Sequence, residues 1–246
     1  SRRSTRLGAD GQAISGARWS PDGRAIACFG RQGDQTGILV WHLDKSAPVF
    51  VAPVKSTNHP LPSVGERLAW SPDGNRLAFV SATPGPETDD ANGDPMVITR
   101  YLYKPTASEG LTRFNDNRRL HIFVADVATR QARQLTTGDY YEHSIDWSPD
   151  GREILFISNR EPDPDRVFNY DIFAVRVADG TVRRLTETRN AEYAPVWSPD
   201  GKSVAYLGTT RSLTSSETTM EDTHVWLVDA DGSRRRELGG TIDNRQ

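Results

Sequence analysis

The sequence predicts an all-β fold, a β-propeller of four-stranded blades, on three observations. The pentapeptide Trp-Ser-Pro-Asp-Gly occurs four times, at Trp19 to Gly23, Trp70 to Gly74, Trp147 to Gly151 and Trp197 to Gly201, with successive tryptophans 51, 77 and 50 residues apart. Each copy is followed by short apolar runs rich in β-branched and aromatic residues, too short for helices and bounded by turn residues. Runs such as Ile154-Leu155-Phe156-Ile157 are apolar on both faces, as a sheet sandwiched between neighbours requires. A two-sheet sandwich, the competing all-β fold, does not predict a tandem unit of four strands.

The pentapeptide reads as a hairpin turn. Pro21, Pro72, Pro149 and Pro199 fix φ for the second position of a type I turn, and Asp22, Asp73, Asp150 and Asp200 tolerate the third. Gly23, Gly74, Gly151 and Gly201 supply the positive φ that follows, closing the hairpin with a bulge. Trp19, Trp70, Trp147 and Trp197 stand two positions before each turn, where a large ring packs at the end of a first strand. The motif is structural, not a ligand site.

The second strands are Ile26 to Phe29, Leu77 to Val80, Ile154 to Ile157 and Val204 to Leu207. The third are Ile38 to Leu43, Ile122 to Val127, Ile172 to Val177 and Val225 to Val228. Short segments such as Arg133-Gln134-Leu135 and Arg183-Arg184-Leu185 close the units. The blades are expected at about 13–62, 63–137, 138–188 and 189–240 of one domain, 1–246. The long interval is one period plus about 26 residues, an insertion within 82–119 of the second blade.

Chain order decides which loops share a side. In a four-stranded meander the first and third connections lie on one face of the disc, so the pentapeptide turns define a plain face. The second connections and the links between blades lie on the other. That elaborated face carries 82–119, 159–170 and 208–224, and long loops in a compact domain usually carry function.

Composition narrows the chemistry. The chain has 246 residues, 36% hydrophobic and 26% charged, with a net charge of −3, so no overall field recruits nucleic acid or an anionic membrane. No apolar run approaches the ~20 residues of a membrane span. The basic N-terminal residues are not followed by the apolar segment of a secretory signal. The one cysteine, Cys28, lies in an apolar run and reads as a small core residue. His42, His59, His121, His143 and His224 lack metal-ligand spacing, and Glu161-Pro162-Asp163-Pro164-Asp165 lacks the central glycine of a calcium loop. No phosphate-binding glycine loop is present, and the aromatics follow the strand pattern, so neither a cofactor nor a nucleic-acid stacking platform is expected.

Repeats of Trp-Ser-Pro-Asp-Gly resemble the propellers of the TolB type. The stretches Val97-Ile98-Thr99-Arg100-Tyr101-Leu102-Tyr103-Lys104 and Arg119-Leu120-His121-Ile122-Phe123-Val124 are similar to the N-terminal propeller of the prolyl oligopeptidase family, in its acylaminoacyl-peptidase branch. Leu135-Thr136-Thr137-Gly138-Asp139 and Ile157-Ser158-Asn159-Arg160 fit the same picture. The resemblance implies that the four blades belong to a ring of about seven, preceding an α/β-hydrolase domain with a Ser, Asp and His triad. No Gly-x-Ser-x-Gly nucleophile elbow occurs in this sequence, so no catalytic residue is assigned.

The expected role is therefore that of a non-catalytic segment gating and positioning short peptides for a serine peptidase whose hydrolase domain is its partner. The alternative is a stand-alone TolB-like propeller serving as a protein–protein interaction module. Open blade edges allow self-association. The compartment stays open, with the cytoplasm preferred and the periplasm expected under the alternative.

Candidate contact residues lie on the elaborated face. Glu142 and Glu192 each precede a tryptophan by five residues, at the start of an innermost strand, and are expected to face the channel or a substrate. Arg100, Arg113 and Arg118 of the insertion are expected to pair with a carboxylate or the partner domain. Acidic groups at Glu87, Asp89, Asp90 and Asp94, at Glu161, Asp163 and Asp165, and at Glu217, Glu221 and Asp222 would attract a peptide's amino terminus.

Overall fold

Each Trp-Ser-Pro-Asp-Gly copy closes the hairpin between the first two strands of a four-stranded antiparallel sheet. The computed structural model describes residues 13–58, 65–101, 103, 114–210 and 223–238. The first sheet comprises β1 (Ser15–Trp19), β2 (Ala25–Gln32), β3 (Gln35–His42) and β4 (Val49–Pro53). The second comprises β5 (Leu68–Trp70), β6 (Arg76–Thr83), β7 (Arg119–Asp126) and β8 (Ala132–Gln134), with a short helix α1 (Thr88–Ala91) in its insertion. The third comprises β9 (Glu142–Trp147), β10 (Glu153–Ser158), β11 (Asp171–Arg176) and β12 (Val182–Arg184). The fourth comprises β13 (Glu192–Trp197), β14 (Ser203–Thr209), β15 (Thr223–Asp229) and β16 (Arg236–Leu238). Every sheet is a simple meander, and the innermost strands β1, β5, β9 and β13 touch in sequence order, which makes the sheets propeller blades.

The turn is held by more than its proline and glycine. In all four copies the glycine has φ of +69° or +70°, and its N–H donates to the serine carbonyl at 2.9 Å. The serine hydroxyl donates to the aspartate two residues on, at 2.5–2.7 Å, and accepts the N–H that opens the second strand. That bond, the largest cause, and the N–H after the glycine hold the aspartate carboxyls below their usual range. Serine is thus as much a part of the motif as proline.

At two of the three described junctions the tryptophan indole joins blades; at the third the Trp197 main-chain N–H donates to Asp146 at 2.8 Å instead. Trp70 donates its indole N–H to the carbonyl of Arg18 at 3.0 Å, and Trp147 does the same to Ala69 at 3.1 Å, in each case the residue before the preceding blade's tryptophan. Trp19, on the first blade described, is 60% exposed. Farther out, Arg133 and Arg183 in the outermost strands donate to the carbonyls of Val177 and Ala230 in the next blade. At the same junctions Gly180 and Gly232, with φ of +76° and +88°, lie so close to the carbonyls of Leu135 and Leu185 that a Cβ would fall at 2.8 and 2.7 Å.

Between these clamps lie three apolar cores, one per blade junction. Ala27, Ile38 and Val40 meet Leu68, Leu77 and Phe79 at the first, and Val80, Ile122 and Val124 meet Ile145, Trp147 and Phe156 at the second. Leu155, Ile157 and Ile172 meet Tyr193, Val204 and Tyr206 at the third. Each fully buried side chain of this size contributes about 1.5–3 kcal/mol. Cys28, 1% exposed, packs with Leu39 and Trp41, and burial raises its thiol pKa.

The connections obey the meander. The first blade's β2–β3 connection is the two-residue turn Gly33-Asp34, whereas the same position holds 84–118, 159–170 and 210–222 in the other three. Among the described residues no helix is long and apolar enough to cross a membrane.

Candidate functional site

The loops of the elaborated face are anchored on charged and aromatic side chains wedged between blades two, three and four. Glu142 opens β9 and is 0% exposed. One carboxylate oxygen accepts from Arg160 Nη2 at 2.9 Å, and the other lies 3.1 Å from His121 Nδ1 on β7. The Arg160 guanidinium lies 4.5 Å from the ring centres of both Tyr140 and Phe173. The loop of blade three and a strand of blade two thus converge on a single carboxylate, with the link between those blades packed on the guanidinium.

Glu192 occupies the same place in blade four and is also 0% exposed, but its surroundings differ. Ile122 and Ile172 hold equivalent positions, since the N–H of each donates to a threonine hydroxyl, Thr136 and Thr186. Immediately before them stand His121 in one blade and Asp171 in the other. Glu192 therefore faces a like charge where Glu142 faces an imidazole. One Glu192 oxygen accepts from the Thr186 hydroxyl, and Oε1 has no hydrogen-bond partner among the described residues. Burial above all, and then Asp171, pushes its carboxyl up to about 7, against the Thr186 hydrogen bond.

Tyr141, at the link into blade three, lies between two guanidinium groups. Arg100 is 5.4 Å and Arg119 5.5 Å from its ring centre. Arg100 donates to the Tyr141 hydroxyl at 2.7 Å and pairs through two nitrogens with Asp165. That bidentate pair ties the insertion to the 159–170 loop and is nearly buried, at 13% and 9% side-chain exposure. Arg119 donates to Glu87 at 2.9 Å and to the carbonyl of Asn117 at 2.7 Å. Asp116 accepts from the Thr57 hydroxyl and from the N–H of Asn58 at 3.1 Å, fastening the insertion to the first interblade link.

The structure thus brings Arg100 into contact with Asp165 and encloses Glu142 and Glu192 between blades. Arg118 is half-buried, with Nε 3.7 Å from Asp116. Arg113, Glu217, Glu221, Asp222 and His59 lie outside the described residues. Of the acidic groups, Glu87 and Asp165 are consumed in ion pairs, and Asp163 pairs loosely with Arg166 at 3.7 Å. Arg119 and Arg160 were not singled out by sequence reasoning. Their signal was there, since each is a charged residue beside a two-sided apolar strand and must find a partner to be buried.

Above this layer the two long loops expose apolar side chains. Val97, Ile98, Tyr101 and Tyr103 of the insertion are 40–63% exposed, and Val167 of the 159–170 loop is 44% exposed. The Arg166 guanidinium, beside Val167, lies 4.6 Å from the Tyr101 ring centre and links the two loops. Among the described residues no cluster of three His, Cys, Asp or Glu side chains could hold a metal ion. The arrangement can orient and hold; it offers an apolar surface on a charged, locked base.

Comparison with known proteins agrees with this architecture. The chain is 27% identical over 164 residues to the uncharacterized peptidase YuxL of Bacillus subtilis, an alignment that covers 63% of this chain and 23% of YuxL. The chain thus spans about a quarter of the curated relative it matches. In fold it is similar to the acylaminoacyl peptidase of Pyrococcus horikoshii, with a TM-score of 0.60 and 19% identity over 94% of this chain and 32% of that one. It is likewise similar to a putative TolB from Agrobacterium tumefaciens, with a TM-score of 0.58 and 21% identity over 91% of this chain and 64% of that one. Residues 101–232, more than half of the chain, match the model of the TolB beta propeller domain. With its Trp-Ser-Pro-Asp-Gly turns and tryptophan-linked blades, the chain belongs to the TolB beta propeller domain family.

Proposed function

We propose that this propeller segment gates and positions short peptides for a serine peptidase of the acylaminoacyl-peptidase or prolyl-oligopeptidase kind, whose α/β-hydrolase domain docks on the elaborated face. The observation that carries this reading is the exposed apolar surface formed by Val97, Ile98, Tyr101, Tyr103 and Val167, held in place from below by the Arg100–Asp165 pair. Apolar side chains gathered on the two longest described loops are what a docked domain would cover. Similarity to YuxL, named a peptidase, and to the fold of an acylaminoacyl peptidase supports it. Arg118 and Arg113 are partner or substrate contacts in this reading. Arg100, Glu142 and Glu192 set the loop positions from which contacts are made, and the contribution to catalysis is steric selection and orientation. In this reading the isolated chain self-associates through its first and fourth blades.

The test uses the polypeptide this reading expects, the propeller together with its hydrolase domain. Its kcat/KM is measured on a short acylated peptide and on a long unstructured one, with Ile98→Ala and Tyr101→Ala variants. The reading expects the variants to lose discrimination against the long substrate, and expects the 246-residue chain alone to hydrolyse neither. Equal discrimination in the variants contradicts it.

A second reading, a stand-alone TolB-like interaction module, is favoured by the family match and by the larger share of the Agrobacterium tumefaciens protein that this chain spans. A natural polypeptide without a hydrolase domain or peptidase activity selects it.

A further inference from the structure

The plain face holds a feature unrelated to peptide gating. At the outer rim of the junction between blades two and three lies a groove of about 440 Å³, of ligand-pocket size. Four arginines line it, Arg76, Arg133, Arg152 and Arg176, with two carboxylates, Asp150 and Glu153.

Both carboxylates already have partners. Glu153 binds Arg183 through its two oxygens, at 2.9 and 2.6 Å. Asp150 accepts from the Ser148 hydroxyl and the Arg152 N–H within its own turn, with Oδ2 3.7 Å from Arg152 Nε, and Arg176 pairs with Asp179 at 3.2 Å, both pairs at the exposed rim. Asp126, paired across the strands with Arg76, spends Oδ1 on the N–H and hydroxyl of Thr129.

The repeat shows what is unusual. Cross-strand pairing makes Arg76 of blade two equivalent to Glu153 of blade three, and Arg133 equivalent to Arg183. At the next junction these positions form the Glu153–Arg183 ion pair. Here both are arginine, so blade two presents two guanidinium groups to the junction and no carboxylate between them. Arg76 lies 5.1 Å from the Trp147 ring centre and, among the described residues, donates to the Gly151 carbonyl alone, at 3.4 Å, while Arg133 donates to the Val177 carbonyl. Each guanidinium has five N–H donors and spends one on the described residues.

We propose that this groove binds a small, multiply charged oxyanion, a phosphorylated or polycarboxylate molecule, with Arg76 and Arg133 supplying the forked donors and Arg152 and Arg176 the rim charge. A bidentate guanidinium fork matches phosphate and carboxylate geometry, and the anion takes the place that Glu153 fills at the neighbouring junction.

The full chain is titrated by calorimetry at low ionic strength with inorganic phosphate and, separately, with citrate. Saturable one-site binding of at least one probe is expected, and the tighter of the two distinguishes the phosphate from the carboxylate source. Arg133→Gln should weaken binding roughly tenfold, the loss of one charge-assisted fork. Arg76→Glu should abolish it while the chain stays folded, because a carboxylate introduced there can pair with Arg133 as Glu153 already pairs with Arg183. Arg24→Gln, on the first blade's turn, should leave it unchanged. Absence of saturable binding by the unsubstituted chain, or affinity unchanged in both Arg133→Gln and Arg76→Glu, overturns the proposal.

Discussion

The indole N–H of Trp147 donates to the main-chain carbonyl of Ala69, 3.1 Å away across the gap between two blades. The bond turns a regular spacing within the repeat into a contact between repeats. Trp147→Phe keeps most of the packing and loses the bond, and should cost about 1 kcal/mol. The same change at Trp19, which is 60% exposed, should stay within about 0.5 kcal/mol. Urea denaturation of both variants checks the contrast.

Glu192 sets a pH dependence. Its carboxyl is raised from 4.5 to about 7 in the folded chain, so between these values the folded state holds a proton that the unfolded state has released. Stability from this group is therefore greatest at the acidic end and falls as pH rises through 7, by on the order of 3 kcal/mol. Glu192→Gln should flatten the profile and raise stability at pH about 8, as measured by denaturation across the pH range.

The same substitution at Glu142 should lower stability instead. Its carboxylate is hydrogen-bonded to Arg160 and faces His121, so Glu142→Gln leaves a half-buried guanidinium short of its counter-charge. A loss of about 1–3 kcal/mol at pH about 8 is expected under the same denaturation protocol.

Arg100→Ala should free the insertion without unfolding the blades. The bidentate pair with Asp165 and the bond to Tyr141 are the hydrogen-bonded links between the insertion and blade three, leaving the stacking of Arg166 on Tyr101 as the remaining tie between the two loops. Chymotryptic cleavage near Tyr101 and Tyr103 should accelerate several-fold while the main thermal transition moves little.

The blades were legible in the sequence because the turn is a local device: proline, aspartate and glycine state their dihedral requirements within five residues. The tryptophan was legible only as an apolar side chain at a strand end. Its acceptor belongs to the preceding repeat, so its linking role depends on how far one blade is rotated from the next. Glu142 and Glu192 looked alike because each precedes a tryptophan by five residues. What separates them, His121 against Asp171, emerges once the third strands of two blades are placed in register. Arg119 went unnoticed because its partners, Glu87 and Tyr141, come from segments 32 residues before it and 22 after it.

The most direct test of the central claim is hydrogen–deuterium exchange on this segment, alone and joined to the hydrolase domain that the proposed function expects. Slowed exchange at residues 95–101 and 159–168, with the pentapeptide turns unchanged, is the predicted result. Protection confined to the turns at 20–23, 71–74, 148–151 and 198–201, or no change on either face, contradicts it.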